Sequence, residues 1–211
     1  MRDPLGLNER LFARYYPVVI GLSERAGQAE RRRVLLAQAA GRTLEIGAGG
    51  GHNLRHYPAA VTQLVVTEPS PHMIRHLTGE LATLDIAAQL VQTGAEDLPF
   101  DDATFDTVVA TFVHCSIPDP DRALNEIARV LKPGGRYLFI EHVRSYDSAL
   151  LGRVQDLVAL PHRYLAAGCH PNRRTERLFA ESPLTVEQLV HEPMPRSLPT
   201  VRPTIRGTAR R

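Results

Sequence analysis

The chain has 211 residues, with 25 Lys and Arg against 23 Asp and Glu for a net charge of +2. That is enough chain for one well-packed α/β domain and too little for two ordinary ones. Its basic residues are scattered apart from Arg31, Arg32, Arg33 and the Arg210-Arg211 end, which argues against a nucleic-acid footprint of the usual kind.

No apolar run approaches the roughly 18 residues of a membrane span, and the stretch "MRDPLGLNERLFARYYPVVIGL" lacks the pattern of a secretory signal. The two cysteines, Cys115 and Cys169, are too few for a disulfide framework. A cytoplasmic protein with neither a nucleic-acid nor a membrane partner is expected.

The first forty residues read as helical. A segment broken at Pro17 comes first, followed by one running from a Ser23 cap to a stop at Gly41; Arg31, Arg32 and Arg33 read as a solvated helix face. From Arg42 strands alternate with helices. Strands are expected at 43–46, 63–67, 88–92, 105–112 and 137–142, with helices at 51–57, 71–83 and 121–131 between several of them. A longer helix at 148–165, a loop at 169–174 and a short helix at 174–180 follow. Two strands at 184–191 and 200–208, joined by the turn "EPMPRSLP", close the chain as a hairpin. Short apolar runs separated by helices imply a mostly parallel sheet covered on both faces.

In such a sheet a ligand binds outside the carboxyl ends of the strands, and the first strand–loop–helix usually supplies the floor. "TLEIGAGGGHNL" stands at that place. Its glycines at 47, 49, 50 and 51 let the backbone approach a ligand closely, and a helix beginning near Gly51 would aim N–H groups at an anionic group. Glu68 closes the next apolar run, just ahead of Pro69, at about the 20-residue separation expected of an acid that receives two ribose hydroxyls.

Nicotinamide dinucleotides and S-adenosylmethionine share this geometry. The dinucleotide pattern needs a small residue at position 52, where His52 stands. Glu45, two residues before the first glycine, can meet the ammonium of a methionyl moiety directly or through water and would repel a pyrophosphate.

Residues 45–51, Glu68, "TGAEDLPFDDATFDTVVATFVHCSIPD" and "LKPGGRYLFIEHV" together resemble the successive motifs of the class I S-adenosylmethionine-dependent methyltransferases, in the ubiquinone/menaquinone-methyltransferase-like branch. The likeness covers roughly residues 40–145. "GGGHNLRHYP", "VHCSIPD", "FIEHV", "GCHPNR" and "VRPTIRG" look like the thiol methyltransferase-like members.

The resemblance implies a Rossmann-like, doubly wound seven-stranded α/β sheet in the order 3-2-1-4-5-7-6, strand 7 antiparallel, with an N-terminal helical cap. One domain, 1–211, would then divide into a cap (1–41), a cofactor-binding core (42–143), a cap helix and loop (144–183) and a strand hairpin (184–211). By the same resemblance Glu45, Gly47, Ala48, Gly49 and Asn53 surround the methionyl part and Glu68, followed by Pro69, binds the ribose. Met73 packs on the adenine, Ala95 and Glu96 line its edge, and Thr111 and Phe112 sit beside the sulfonium; Tyr16, with Tyr15, closes the other side or packs the N-terminal helix.

Relatives often carry Asp where this chain has Gly94, so the adenine amino group is left to Glu96, Asp97 or backbone groups. The animal thiol methyltransferase-like proteins carry an apolar anchor that this chain lacks, so membrane attachment is not carried over.

Methyl transfer from a sulfonium is an in-line displacement, assisted mainly by positioning and exclusion of water. A base is needed only for a protonated nucleophile. His114 and His142, at the ends of the fourth and fifth strands, are the candidate bases. Cys115 reads as a packing residue, and Cys169-His170 with His162 lacks the spacing of a tetrahedral metal site, so no metal is expected. The expected activity is methyl transfer to a small-molecule acceptor, a thiol before a phenol, quinone or other carbon or oxygen nucleophile. An NAD-dependent oxidoreductase and a non-catalytic cofactor-binding protein are the rivals.

Overall fold

The computed structural model describes the backbone of residues 7–211 and the side chains of residues 14–16, 18–75 and 77–211. The first six residues, on which the expectation about a secretory signal partly rests, lie outside the described residues. Seven strands form one sheet: β1 (Gly41–Ile46), β2 (Val61–Thr67), β3 (Ala88–Val91), β4 (Phe105–Thr111), β5 (Leu131–His142), β6 (Thr185–Pro193) and β7 (Pro203–Arg210). The order is β3-β2-β1-β4-β5-β7-β6, with β7 antiparallel to both β5 and β6, as the sequence led us to expect.

Four consecutive buried residues end both β1 and β2, because helices cover both faces of the parallel part. One apolar core gathers Leu44, Phe105, Ile127, Tyr137, Phe139 and Phe179 beneath α4 (Pro120–Val130) and α6 (Thr175–Ala180). The other packs Leu35, Leu36, Leu64, Leu77 and Ile140 beneath α2 (Ala29–Leu36) and α3 (Pro71–Leu81).

The intruding strand β7 depends on a missing side chain. A Cβ at Gly207 would lie 2.1 Å from the Gln188 carbonyl oxygen and 2.7 Å from Phe139 Cζ, so no larger residue passes between β5 and β6 there. The last strand begins later than expected, because Pro199–Val201 forms a 3₁₀ turn before it.

Three local expectations are corrected. The N-terminal helix α1 (Leu7–Ser23) runs through Pro17, continues as a π-helical turn, Glu24–Gln28, and passes into α2. Ser23 therefore caps nothing: it has helical torsions and is buried, and the turn bends instead at Gly27, whose φ is 122°. No helix starts at Gly51. The loop after β1 yields only a 3₁₀ turn, Leu54–His56, because Pro58 forces the preceding Tyr57 to an extended ψ of 130°.

Helix α5 (Ala149–Leu165) begins at Ser148, whose hydroxyl accepts from the Leu151 N–H at 3.2 Å. Its fully buried Gln155 donates to the carbonyls of Val143, Pro171 and Thr200 and accepts from the Ser145 N–H. One amide thereby fixes the end of β5, the loop at 170 and the turn before β7 together.

Candidate active site

The carboxyl ends of β1, β2, β4 and β5 lie side by side, so residues distant in sequence meet there. Gly47, with φ 62°, turns the chain out of β1; a Cβ on it would strike Val113 Cγ2 at 2.9 Å. Ala48 is tied back to β2 through its N–H and the Thr67 carbonyl. The Gly49 N–H donates to Glu68 Oε2 at 2.8 Å and the Ser70 N–H to Glu68 Oε1 at 2.9 Å. Pro69, between them, offers its carbonyl to Gln92. Buried Met73 sets its methyl over Gly49. The structure thus gathers Gly47, Ala48, Gly49, Glu68 and Met73 around one backbone cradle.

Glu45 is 1% exposed, at the end of β1. Asn53 Nδ2 donates to its Oε1 at 3.0 Å and the Tyr57 hydroxyl to its Oε2 at 2.7 Å. Burial pushes its pKa up to about 7, outweighing those two donors and the nearby Arg32 guanidinium. Asn53 also donates to Thr111 Oγ1 at 3.0 Å, so the network reaches β4.

Arg32 overturns the reading of the arginine run as a solvated face. It is 2% exposed, it donates to Asn53 Oδ1 at 2.8 Å and to Thr111 Oγ1 at 2.7 Å, and it pairs with Glu24 at 2.9 Å. Its guanidinium also lies 5.3 Å from the centre of the Phe112 ring. The signal was helical spacing: Gln28, Arg32, Leu35, Leu36 and Ala39 form one buried face. Arg31 instead reaches Glu192 and the Pro193 carbonyl, and Arg33 pairs with Glu30 on the surface.

Phe112 has a left-handed φ of 61° and donates its N–H to the Ile140 carbonyl at 2.7 Å, which fixes the point where the chain leaves β4. The His142 ring stacks on it at 6.4 Å between centres. His142 Nε2 lies 3.1 Å from Cys169 Sγ, and its Nδ1 is buried without a protein partner.

His114 does not join this group. It is fully buried, 2.6 Å from the Tyr137 hydroxyl and edge-on to Phe179, and burial lowers its pKa to about 4. The structure sets it in the core, and a base role is not carried forward.

Tyr16 stands 6.4 Å from the His52 ring, its phenol pushed up to about 12 by desolvation, while the Tyr15 hydroxyl donates to the Leu165 carbonyl and joins α1 to the end of α5. Ala95 is buried; Glu96 Oε1 accepts from the Asp119 N–H at 3.4 Å.

Two further residues escaped the sequence reading. Tyr57 was hidden in an expected helix, its only mark the Pro58 that follows. Glu141 is a fully buried carboxylate in an apolar strand, and it accepts from the Val113 N–H at 3.0 Å. Burial raises its pKa well above the carboxylate range.

Residues 44–139 match a family model described as a methyltransferase domain. The chain is 31% identical to thiol S-methyltransferase TMT1B of Rattus norvegicus, over 79% of this chain and 69% of that protein. It is 34% identical to a phosphatidylethanolamine N-methyltransferase of Cereibacter sphaeroides, over 69% and 71% of the two chains. In fold it superposes on an S-adenosylmethionine-dependent methyltransferase from Mesorhizobium loti with a TM-score of 0.64 at 16% identity, covering 92% of this chain and all of that one. Among the described residues no helix is long and apolar enough to cross a membrane.

Proposed function

The chain belongs to the class I S-adenosylmethionine-dependent methyltransferases, and from that premise we propose that it methylates the sulfur of a small-molecule thiol. One observation carries the choice of acceptor: a thiol sulfur, that of Cys169, already rests 3.1 Å from His142 Nε2 beside Phe112. The site's aromatic, imidazole and thiol groups suit a polarizable sulfur better than a hydrated oxygen nucleophile. The likeness to a thiol S-methyltransferase points the same way.

Bound S-adenosylmethionine supplies an electrophilic methyl group on a sulfonium. The glycine cradle fits such a ligand: glycines at 47 and 49 take positive φ, and two buried carboxylates, Glu45 and Glu68, flank it. Glu68 receives the ribose hydroxyls and Met73 packs on the base. Glu45, with Asn53 and Gly47–Gly49 alongside, faces the methionyl ammonium. Arg32 orients Asn53 and Thr111, and Phe112 walls the reacting centre from water. His142 would contact the acceptor and take the thiol proton, leaving its sulfur free to accept the methyl group that bound S-adenosylmethionine would supply. Placement in the cytoplasm belongs to the same proposal and accords with two unpaired cysteines.

The test is incubation of the purified protein with methyl-labelled S-adenosylmethionine and matched panels of alkyl thiols, aryl thiols and phenols. Labelled thioethers are expected. Transfer to phenols with none to any thiol would overturn the acceptor assignment.

A further inference from the structure

Cys115, His142 and Cys169 come from three separate segments: the loop after β4, the last residue of β5 and the loop after α5. Their sulfur and nitrogen atoms all lie within 4.8 Å of one another, and each residue is at least nine-tenths buried. The arrangement is braced from outside. His170 donates its N–H to the Cys115 carbonyl at 2.8 Å, and Arg173 donates to the carbonyls of His114 and Ile117 at 2.7 Å each. Glu141 holds the Val113 N–H. The loop bearing Cys169 is therefore latched onto the loop bearing Cys115, and β5 carries His142 to the same point.

We propose that these three side chains bind a thiophilic d¹⁰ cation, zinc above all, as a Cys₂His site with a fourth position left for an exchangeable ligand. Two thiolates and one imidazole are a donor set that zinc takes in tetrahedral geometry, and three protein ligands with one open place is the pattern of a reactive site. Bond lengths of about 2.0 Å to nitrogen and 2.3 Å to sulfur put tetrahedral donors roughly 3.5–3.8 Å apart. The trio's separations, all within 4.8 Å, need change by about 1 Å to reach that.

The sequence concealed the site, because its donors are 27 residues apart on either side of His142; the adjacent Cys169-His170 pair drew attention to the wrong histidine.

The fourth position would take the acceptor's thiolate, a role that rests on the S-methylation reading, whereas metal binding does not. On binding, the thiol S–H releases its proton to solvent and sulfur bonds to the metal, so His142 acts as the base only in the metal-free chain and as a ligand once the metal is bound.

The experiment is titration of the reduced, metal-free full chain with Co²⁺, read by absorbance. One equivalent is expected to give tetrahedral visible bands and a near-ultraviolet thiolate-to-metal band, all displaced by Zn²⁺. Cys115→Ser and Cys169→Ser should each lose the thiolate intensity in part and the pair lose it wholly, while binding of S-adenosylhomocysteine shows that the variants are folded. No thiolate band in the wild-type chain overturns the site, as does a band unchanged in both variants or a Cys115–Cys169 disulfide that persists under reductant. Methylation of alkyl thiols, assayed with and without Zn²⁺, separates the two readings. A metal that binds without altering that rate leaves the site and removes its acceptor role, and thiol transfer without any metal binding removes the site and leaves S-methylation standing.

Discussion

The two halves of the crevice are built on opposite principles. On the β1–β2 side the central polar groups hold one another, Glu45 by Asn53 and Tyr57, Asn53 by Arg32, Thr111 by both, although His52 Nε2 in the glycine loop and the Gln28 amide are buried without partners. On the β4–β5 side buried polar atoms stand without protein partners, Glu141 Oε2 and His142 Nδ1 among them, next to two thiols. A closed hydrogen-bond network fixes a shape in advance, which is what binding a cofactor in one orientation requires. Unsatisfied buried groups cost free energy, and a site that tolerates them holds capacity in reserve for something that arrives.

The sharpest way to break the contrast is to remove the group that knits the cofactor side. Arg32→Ala leaves Glu24 without its 2.9 Å partner and strips one hydrogen bond each from Asn53 and Thr111. A loss of about 3–5 kcal/mol in unfolding free energy is expected from chemical denaturation, as for breaking a buried ion pair. A change within 1 kcal/mol would show that the network does not hold this half together.

Next in size is Glu68→Ala. If Glu68 takes the two ribose hydroxyls as proposed, removing its carboxylate forfeits about 3 kcal/mol, a rise of roughly a hundredfold in the dissociation constant for S-adenosylhomocysteine by calorimetry. The backbone donors of Gly49 and Ser70 lose their acceptor too, so a modest drop in melting temperature should accompany it. Unchanged affinity would place the ribose elsewhere.

The reactive half should respond in rate and not in affinity. A thiol of pKa about 8.5 is only about 3% ionised at pH 7, so complete ionisation is worth at most roughly thirtyfold. With the protein kept metal-free, turnover of an alkyl thiol by His142→Ala should fall by about that factor, with an aryl thiol that is already ionised losing little and cofactor affinity unchanged. Equal losses for both thiols would reduce His142 to a structural part.

This division also explains what the sequence revealed. Strand order and the glycine cradle were legible because they are local patterns: apolar runs between helices, glycines after a strand, an acid one strand later. Arg32 was legible only through periodicity, since a run of three arginines hides which one faces inward. Tyr57 and Glu141 were missed because their partners, Glu45 and Val113, lie in other elements. The helix expected at Gly51 failed because Pro58 governs the backbone behind it, and the thiol–imidazole trio is purely tertiary.

The smallest expected change in affinity sharpens the contrast from within the cofactor half. Glu45 is held at a pKa of about 7 by burial, with Tyr57, Asn53, Arg32 and Glu68 facing it. Being raised above its usual 4.5, the group favours the folded apo state below that value, and the contribution is lost as pH climbs through about 7. A cationic ammonium prefers the ionised carboxylate, so cofactor affinity should move the other way, strengthening about tenfold from pH 6 to 8 and then levelling. Glu45→Gln keeps an acceptor for Asn53 while removing the titration. It should flatten that affinity profile and raise apo stability at pH 8 by up to about 3 kcal/mol, the free-energy equivalent of the shift. Calorimetry for affinity and denaturation for stability, each at pH 6 and 8, check both signs: a variant that keeps the wild-type slope would mean that the carboxylate at 45 does not face the ammonium.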